Sequence, residues 1–327
     1  MKNHPTHFFG IGAQKAGTTW LHEVLNSYPD CAVPPVKELH FFDIKYLSDS
    51  KNGLRMISMY KDRLGQMVQM ANGFHRDLSA FWERNAIDTG KPNSTHEVYQ
   101  NDYLENVNVD ARLANIARLA RYLRIRDIES YAAYLEEVRY LKGARVIGEF
   151  TPAYSMLPEE AFQEMSEYFP DSKFIFIMRD PVSRLLSQIR FKKKRQNAKG
   201  NTAFDPLAYF ETALSSAEFL ERSNYRRTIE VLERAIPSHR IQYLFFEELV
   251  SPDSVVKSMR TVENFLGLQP KTDEDILAMA EVKRNVSDAA DFNSEHLIKV
   301  RRAMNDNYRF IEDHFGRMPT GWNNTPQ

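Results

Sequence analysis

Two continuous apolar runs stand out in a chain otherwise patterned at helical spacing. Phe8-Phe9-Gly10-Ile11 enters the small-residue stretch Gly12-Ala13-Gln14-Lys15-Ala16-Gly17-Thr18-Thr19. Phe174-Ile175-Phe176-Ile177-Met178 ends in Arg179-Asp180-Pro181. Unbroken apolar runs of this length suit strands buried on both faces of a parallel sheet, and they predict strands at about 7–12 and 173–178. Leu21, Val24 and Leu25 then recur on one helical face, and Pro181 suits the first turn of a helix. Arg145-Val146-Ile147-Gly148 reads as another strand, and Arg240 to Leu249 as a strand ending in an acidic turn. Ser223-Asn224-Tyr225 opens a helix. From Ile44 to about Leu141 the pattern is mostly helical. Leu113, Ile116, Ala117, Ala120 and Leu123 share one spacing, and Tyr131, Tyr134, Leu135 and Val138 another, with a loop at Gly90-Lys91-Pro92-Asn93-Ser94. Strands alternating with helices imply an α/β fold, a central parallel β-sheet flanked by helices.

The first strand, its loop and the helix after it have the layout of an anion site. Backbone N–H groups at a helix N-terminus point at the anion, and the helix dipole favours negative charge there. A nucleotide-triphosphate loop reads G-x-x-x-x-G-K-[ST]. Gly12 and Gly17 keep that separation, but Thr18 stands where the lysine belongs and Lys15 lies before Gly17. The displaced cation argues against a kinase using ATP and magnesium, which stays as an alternative. Arg179 sits at the carboxyl end of its strand, where open α/β sheets bind ligands. Ser187 lies two helical turns further on, so a shared ligand bridges strand end and helix face; otherwise Arg179 and Asp180 pair with each other.

Gln14-Lys15-Ala16-Gly17-Thr18-Thr19-Trp20 resembles the 5′-phosphosulfate loop of the sulfotransferases that use 3′-phosphoadenosine 5′-phosphosulfate (PAPS). Arg179 with Ser187 resembles that family's 3′-phosphate site. Lys37-Glu38-Leu39-His40-Phe41-Phe42-Asp43 resembles the Lys-Glu-x-x-Phe-Phe segment of the heparan-type sulfotransferases and their bacterial relatives. Glu149-Phe150-Thr151-Pro152-Ala153-Tyr154 resembles their Glu-Lys-[Ser/Thr]-Pro-x-Tyr segment, with Phe150 in place of the lysine that lies beside the acidic sugar and the sulfuryl group. That departure speaks against heparan sulfate and towards a less anionic or more apolar acceptor. Lys283-Arg284-Asn285-Val286-Ser287 resembles a late basic loop closing over the 3′-phosphate.

The resemblance covers about 6–43 and 145–290. It implies one domain, 1–327, with a P-loop-like sulfotransferase fold and a helical insertion at about 44–141. The implied reaction is in-line sulfuryl transfer from PAPS to an acceptor hydroxyl, or an amine, leaving 3′-phosphoadenosine 5′-phosphate (PAP). Lys15, Ala16, Gly17, Thr18 and Thr19 hold the 5′-phosphosulfate, and Trp20 stacks on adenine. Arg179, Ser187, Lys283 and Arg284 hold the 3′-phosphate. Glu38 takes the acceptor's proton, with His40 as rival base because histidine titrates nearest neutral pH. Lys37 and Lys15 balance charge on the sulfuryl oxygens. A non-catalytic PAP-binding module is a further alternative.

Composition narrows the setting. Lys and Arg total 43 against 44 Asp and Glu, a net charge of −1, which argues against a generic nucleic-acid binder. The single cysteine, Cys31, excludes an intrachain disulfide framework, and no His/Cys cluster has metal-ligand spacing, so no metal is expected. The chain runs from Met1 into the first strand without room for a signal peptide, and no apolar stretch is long enough to cross a bilayer. A cytoplasmic, bacterial enzyme is the simpler expectation. Lys192-Lys193-Lys194-Arg195 reads as a solvated end just past the helix that carries Ser187, and Trp322 as a pin for an irregular tail. Trp82 and Tyr99 mark the most ligand-like parts of the insertion. A small-molecule, carbohydrate, lipid or carrier-bound acceptor is compatible with these features, and oligomeric state is left open.

Overall fold

The computed structural model describes residues 5–47, 64–65, 67–73, 76–77, 116–117, 119–198, 200–281 and 292–324. The chain divides into two units, Met1–Leu47 with Val138–Gln327, and Ser48–Glu137. The first contains a five-stranded sheet of β1 (Thr6–Gly12), β2 (Cys31–Ala32), β3 (Val146–Phe150), β4 (Lys173–Met178) and β5 (Ile241–Phe245), in the order β2-β3-β1-β4-β5. Every pairing is parallel. The connection from β1 leads to one side of the sheet and that from β4 to the other. The carboxyl ends of these adjacent strands therefore form the topological switch point, where such sheets bind ligands.

The apolar runs became the central strands for the expected reason. Phe8, Phe9 and Ile11 of β1, and Phe174 through Met178 of β4, are buried, each stabilising the sheet by about 1.5–3 kcal/mol in transfer terms. Gly10 has its own role. A Cβ there would lie 2.0 Å from the Phe150 ring, so the missing side chain is the space that ring fills.

Helices α1 (Thr18–Asn26) and α2 (Phe41–Tyr46) follow β1 and β2. α3 (Ile128–Lys142) precedes β3, and α4 (Glu159–Tyr168) precedes β4. After β4 come α5 (Pro181–Ala198), α6 (Pro206–Leu214), α7 (Ala217–Ser223) and α8 (Tyr225–Ala235). After β5 come α9 (Phe246–Val250), α10 (Val255–Leu266), α11 (Asp273–Glu281), α12 (Ser294–Ala303) and α13 (Asn305–Phe315). Buried Leu21, Val24 and Leu25 form the inner face of α1. Asn224 caps α8 by accepting from Arg227 N, and Pro181 opens α5.

The structure refines the picture at several places. Phe150 is 1% exposed and packs against Phe8 and over Gly10, so it is part of the core. The run Lys192–Arg195 lies inside α5, which continues to Ala198, and Lys192 Nζ sits 3.6 Å from the centre of the Tyr209 ring on α6. The acidic turn after β5 is the short helix α9. Strand β2, two residues long, was too short to leave a pattern. Trp322 is 0% exposed and pins the tail against Tyr225, Phe245 and Tyr308.

In the second unit, Leu119, Tyr122, Tyr131, Tyr134 and Leu135 are buried, the Tyr122 and Tyr134 rings meet edge to face, and Arg121 pairs with Glu137 at 2.6 Å. Trp82, Tyr99, Leu113, the 90–94 loop, Lys283 and Arg284 lie outside the described residues. Among the described residues no helix is long and apolar enough to cross a membrane, and Cys31 is a buried free thiol.

Candidate active site

The loop between β1 and α1 is sewn to β4 by a hydrogen bond from Ala13 N to Ile177 O at 2.6 Å. Gly17 precedes α1 with φ of 84°, and a Cβ on it would lie 2.5 Å from the Phe246 ring. Only glycine combines that left-handed turn with that contact. Among the described residues no side chain caps α1, and its first turn holds no acidic residue, so its leading amides have no side-chain acceptor there. Thr18 is buried and Thr19 exposed. Trp20 is half-buried and donates Nε1–H to Met279 O on α11 at 3.3 Å.

Lys15 leaves this loop with φ of 69°, and its Nζ lies 4.0 Å from the centre of the Phe191 ring on α5. Burial lowers its pKa to about 8, helped by the positive charges of Arg179, Lys37 and Arg190 and opposed by Glu38. These groups are therefore near neighbours of the ammonium. Ser187 is half-buried on α5, and Arg190 and Phe191 are the i+3 and i+4 residues on its face.

Arg179 leaves the end of β4. Its guanidinium stacks 4.5 Å from the Phe246 ring centre and donates to Lys15 O at 3.1 Å. Its Nε is buried without a hydrogen-bond partner among the described residues. Arg179 does not pair with Asp180, whose carboxylate accepts from Ser183 N and from Tyr308 OH.

The third element is the loop from Lys37 to Asp43. Lys37 Nζ lies 3.4 Å from Thr18 Oγ1 and 3.7 Å from Glu38 Oε1. His40 bridges two carboxylates, with Nε2 3.2 Å from Glu38 and Nδ1 2.8 Å from Asp43. Burial pulls the imidazole's pKa down, but hydrogen bonds to Asp43 and Glu38 outweigh it and hold the value at about 9. For Glu38, burial pushes upward, while His40 and Lys37 bring the carboxyl below its usual range. Thr151 Oγ1 accepts from Leu39 N at 3.1 Å and His40 N at 3.4 Å, and donates to Glu149 at 2.7 Å. Tyr154 OH accepts from Phe41 N at 3.2 Å and Phe42 N at 3.4 Å. The 149–154 segment is thus the platform on which Glu38 and His40 are set. Among the described residues three non-glycines take positive φ, and two of them, Lys15 and His40, lie in this site.

Lys15, Thr18, Lys37, Glu38, His40 and Arg179 come together, with Ser187 on the adjoining helix face. Sequence reasoning missed Phe246, Arg190, Phe191 and Arg222. The positive charge of Arg222 lowers the Glu38 pKa, which makes it a neighbour of that carboxylate. Arg190 and Phe191 were detectable, because they lie one turn beyond Ser187. Among the described residues no group of His, Cys, Asp or Glu could hold a metal ion.

A family model described as "Sulfotransferase family" matches residues 5–273. The chain belongs to the sulfotransferase family. The crystal structure of a sulfotransferase from Alicyclobacillus acidocaldarius is similar over 97% of this chain and 98% of that one, with 18% identity and a TM-score of 0.57. At that identity the likeness shows the fold alone, the parallel α/β sulfotransferase fold. The sulfotransferase domain from the Synechococcus PCC 7002 olefin synthase aligns over 91% and 94% of the two chains, at 15% identity and a TM-score of 0.44. That from the curacin biosynthetic pathway aligns over 88% and 81%, at 14% identity and 0.44. No protein of curated function matches the chain in sequence.

Proposed function

We propose that this sulfotransferase uses PAPS as donor and transfers its sulfuryl group in line to an acceptor hydroxyl, or an amine, leaving PAP. The observation that carries the reading is the meeting of Lys37, Glu38 and Thr18 at the mouth of the Lys15 loop, with Lys37 Nζ 3.4 Å from Thr18 and 3.7 Å from Glu38. Donor loop and candidate base are thereby within one side chain's reach of each other. The nucleotide fits the residues present. Arg179 Nε is a buried donor in want of an acceptor, and Gly17 leaves the loop open where a Cβ would strike Phe246.

When bound, PAPS supplies the sulfuryl group and a phosphate leaving group. The loop amides from Ala16 to Thr19 and the Lys15 ammonium hold the 5′ end, and Trp20 offers its ring to adenine. Arg179 and Ser187 hold the 3′-phosphate and so select against ATP; Lys283 and Arg284 join them. Glu38, ionised at neutral pH, takes the acceptor's proton. Lys37 and Lys15 offset charge on the sulfuryl oxygens as the bond to phosphate breaks. His40 holds the Glu38 carboxylate in place from the Asp43 side. The proposed organisation is one sulfotransferase domain over 1–327 with an insertion at about 44–141. A small-molecule, carbohydrate, lipid or carrier-bound acceptor suits it.

Calorimetric titration with PAP, beside ATP plus magnesium, tests the donor. Metal-independent PAP binding without ATP binding is the expected result, and magnesium-dependent ATP binding overturns it. Transfer of label from PAPS to a panel of acceptors then tests the reaction.

A further inference from the structure

The backbone around Arg179 is held by Tyr225 and Glu247, which are themselves tied to a segment that the family model does not reach. Tyr225 OH donates to Arg179 O at 2.6 Å and accepts from Arg179 N at 3.4 Å. Tyr225 is itself held from α13, since its N–H donates to Asn307 Oδ1 at 3.1 Å while Asn307 Nδ2 donates to Ser223 O at 2.8 Å. The next residue, Asp180, is gripped at both ends. Its N–H donates to Glu247 Oε1 at 3.1 Å, and its carboxylate accepts from Tyr308 OH on α13. Glu247 in turn accepts from Trp322 Nε1 at 2.9 Å. Arg301 closes the circuit, donating to Trp322 O at 2.8 Å with its guanidinium 3.4 Å from the Tyr308 ring centre. The family match ends at residue 273, whereas Arg301, Asn307, Tyr308 and Trp322 all lie beyond it.

The charge arrangement suits a brace. Tyr308 and Ser183 N occupy the Asp180 carboxylate, so its oxygens make no hydrogen bond to the neighbouring Arg179, although the charges of Glu247 and Asp180 both act on the guanidinium. The Arg179 side chain is left with a stacking partner, one bond to a main-chain carbonyl, and a buried unpaired Nε. If Asp180 were released it could swing to the guanidinium and occupy the donors that an incoming phosphate needs. A carboxylate one residue away is a strong competitor, because hydrogen bonds between ionised groups are roughly twice as strong as neutral ones.

We infer that the C-terminal segment, through Tyr308 and Trp322, is a brace that keeps Asp180 away from Arg179 and so holds the 3′-phosphate subsite open. Tyr308 and Trp322 are positioning residues and touch no nucleotide. The inference rests on the proposed function, since it takes Arg179 as the 3′-phosphate ligand.

The test compares two nucleotides that differ only in that phosphate, PAP and adenosine 5′-monophosphate, by calorimetry on the full chain. Tyr308→Phe removes one hydroxyl and Trp322→Phe one indole N–H, each leaving an aromatic ring in place. Each variant is expected to bind PAP about tenfold more weakly, the effect of one lost hydrogen bond to a charged group. Its affinity for adenosine 5′-monophosphate is expected to stay within about twofold, which also shows that the variant folds. Equal losses for the two nucleotides mean a general structural role and overturn the brace. No loss for either also overturns it. A wild-type protein that binds PAP no better than adenosine 5′-monophosphate has no 3′-phosphate subsite, and the proposed function and the brace then fail together.

Discussion

The His40 imidazole lies 3.2 Å from Glu38 on one side and 2.8 Å from Asp43 on the other. With a pKa of about 9 it is an imidazolium at neutral pH, donating through both nitrogens, and has no lone pair with which to accept a proton. Glu38, held below the usual carboxylate range, is ionised and able to accept. Of the two base candidates the geometry favours Glu38. Glu38→Gln is expected to lower kcat by about 10²–10⁴ and leave PAP affinity nearly unchanged. His40→Gln is expected to cost less and to move the acidic limb of the pH–rate profile upward, because Glu38 loses the donor that stabilises its charge. Full activity in Glu38→Gln with none in His40→Gln would reverse the roles.

Lys15 carries a second pH signature. Burial, then the charge of Arg179, brings its pKa to about 8 from an ordinary 10.5. The protein therefore loses this cation as pH rises through about 8, and PAP affinity is expected to fall above that pH. Bound phosphate favours the ammonium, so binding near pH 8 takes up a proton, measurable by calorimetry in buffers of different ionisation heat. Stability has the opposite slope. The folded value is depressed, so this group's contribution is fully present above 10.5 and is lost as pH falls through about 8. Lys15→Arg should flatten the binding profile, because a guanidinium stays charged. An affinity independent of pH from 7 to 9 in the wild type would remove Lys15 from the nucleotide site.

Arg179→Ala should cost PAP about 1.5–3 kcal/mol, the range for hydrogen bonds to a charged group. Arg179→Lys should recover only part, because lysine lacks an Nε donor and the flat surface that stacks on Phe246. Unchanged PAP affinity in Arg179→Ala would reject the 3′-phosphate assignment.

The sequence was legible where chemistry and pattern were local. Strands β1 and β4 announced themselves as unbroken apolar runs, and the Gly12–Thr19 loop and Arg179 follow directly from their carboxyl ends. What stayed hidden depends on contacts between distant residues. Thr151 bonds Leu39 N across 112 positions, and Tyr308 bonds Asp180 across 128. No periodicity encodes such a pair. The packing of position 150 was hidden for a related reason. The motif names the residue, but the direction of its side chain is set by the space above Gly10.

Gly17 makes a stability prediction and a binding prediction together. An alanine at φ of 84° costs about 1–2 kcal/mol, and its Cβ would stand 2.5 Å from the Phe246 ring, adding about 1–3 kcal/mol of overpacking. Gly17→Ala should lower the melting temperature and weaken PAP. Adding Phe246→Ala should relieve the overpacking but leave the backbone cost, so the two changes combine less than additively. Strict additivity in thermal melts would mean that ring and glycine do not meet.

Phe150→Lys would restore the lysine of the heparan-type segment, but the packing at this position opposes it. The ring is 1% exposed, set edge-on to Phe8 and His22 above Gly10. Removing a buried phenylalanine alone costs about 3–5 kcal/mol, and an ammonium left in that space adds the cost of a desolvated charge. The variant is expected to melt at least about 6 °C lower, taking roughly 2–4 °C per kcal/mol for a chain this large. It should gain no transfer to an acidic polysaccharide. An unchanged melt together with new activity on such an acceptor would show that position 150 faces the acceptor and that the core assignment is wrong.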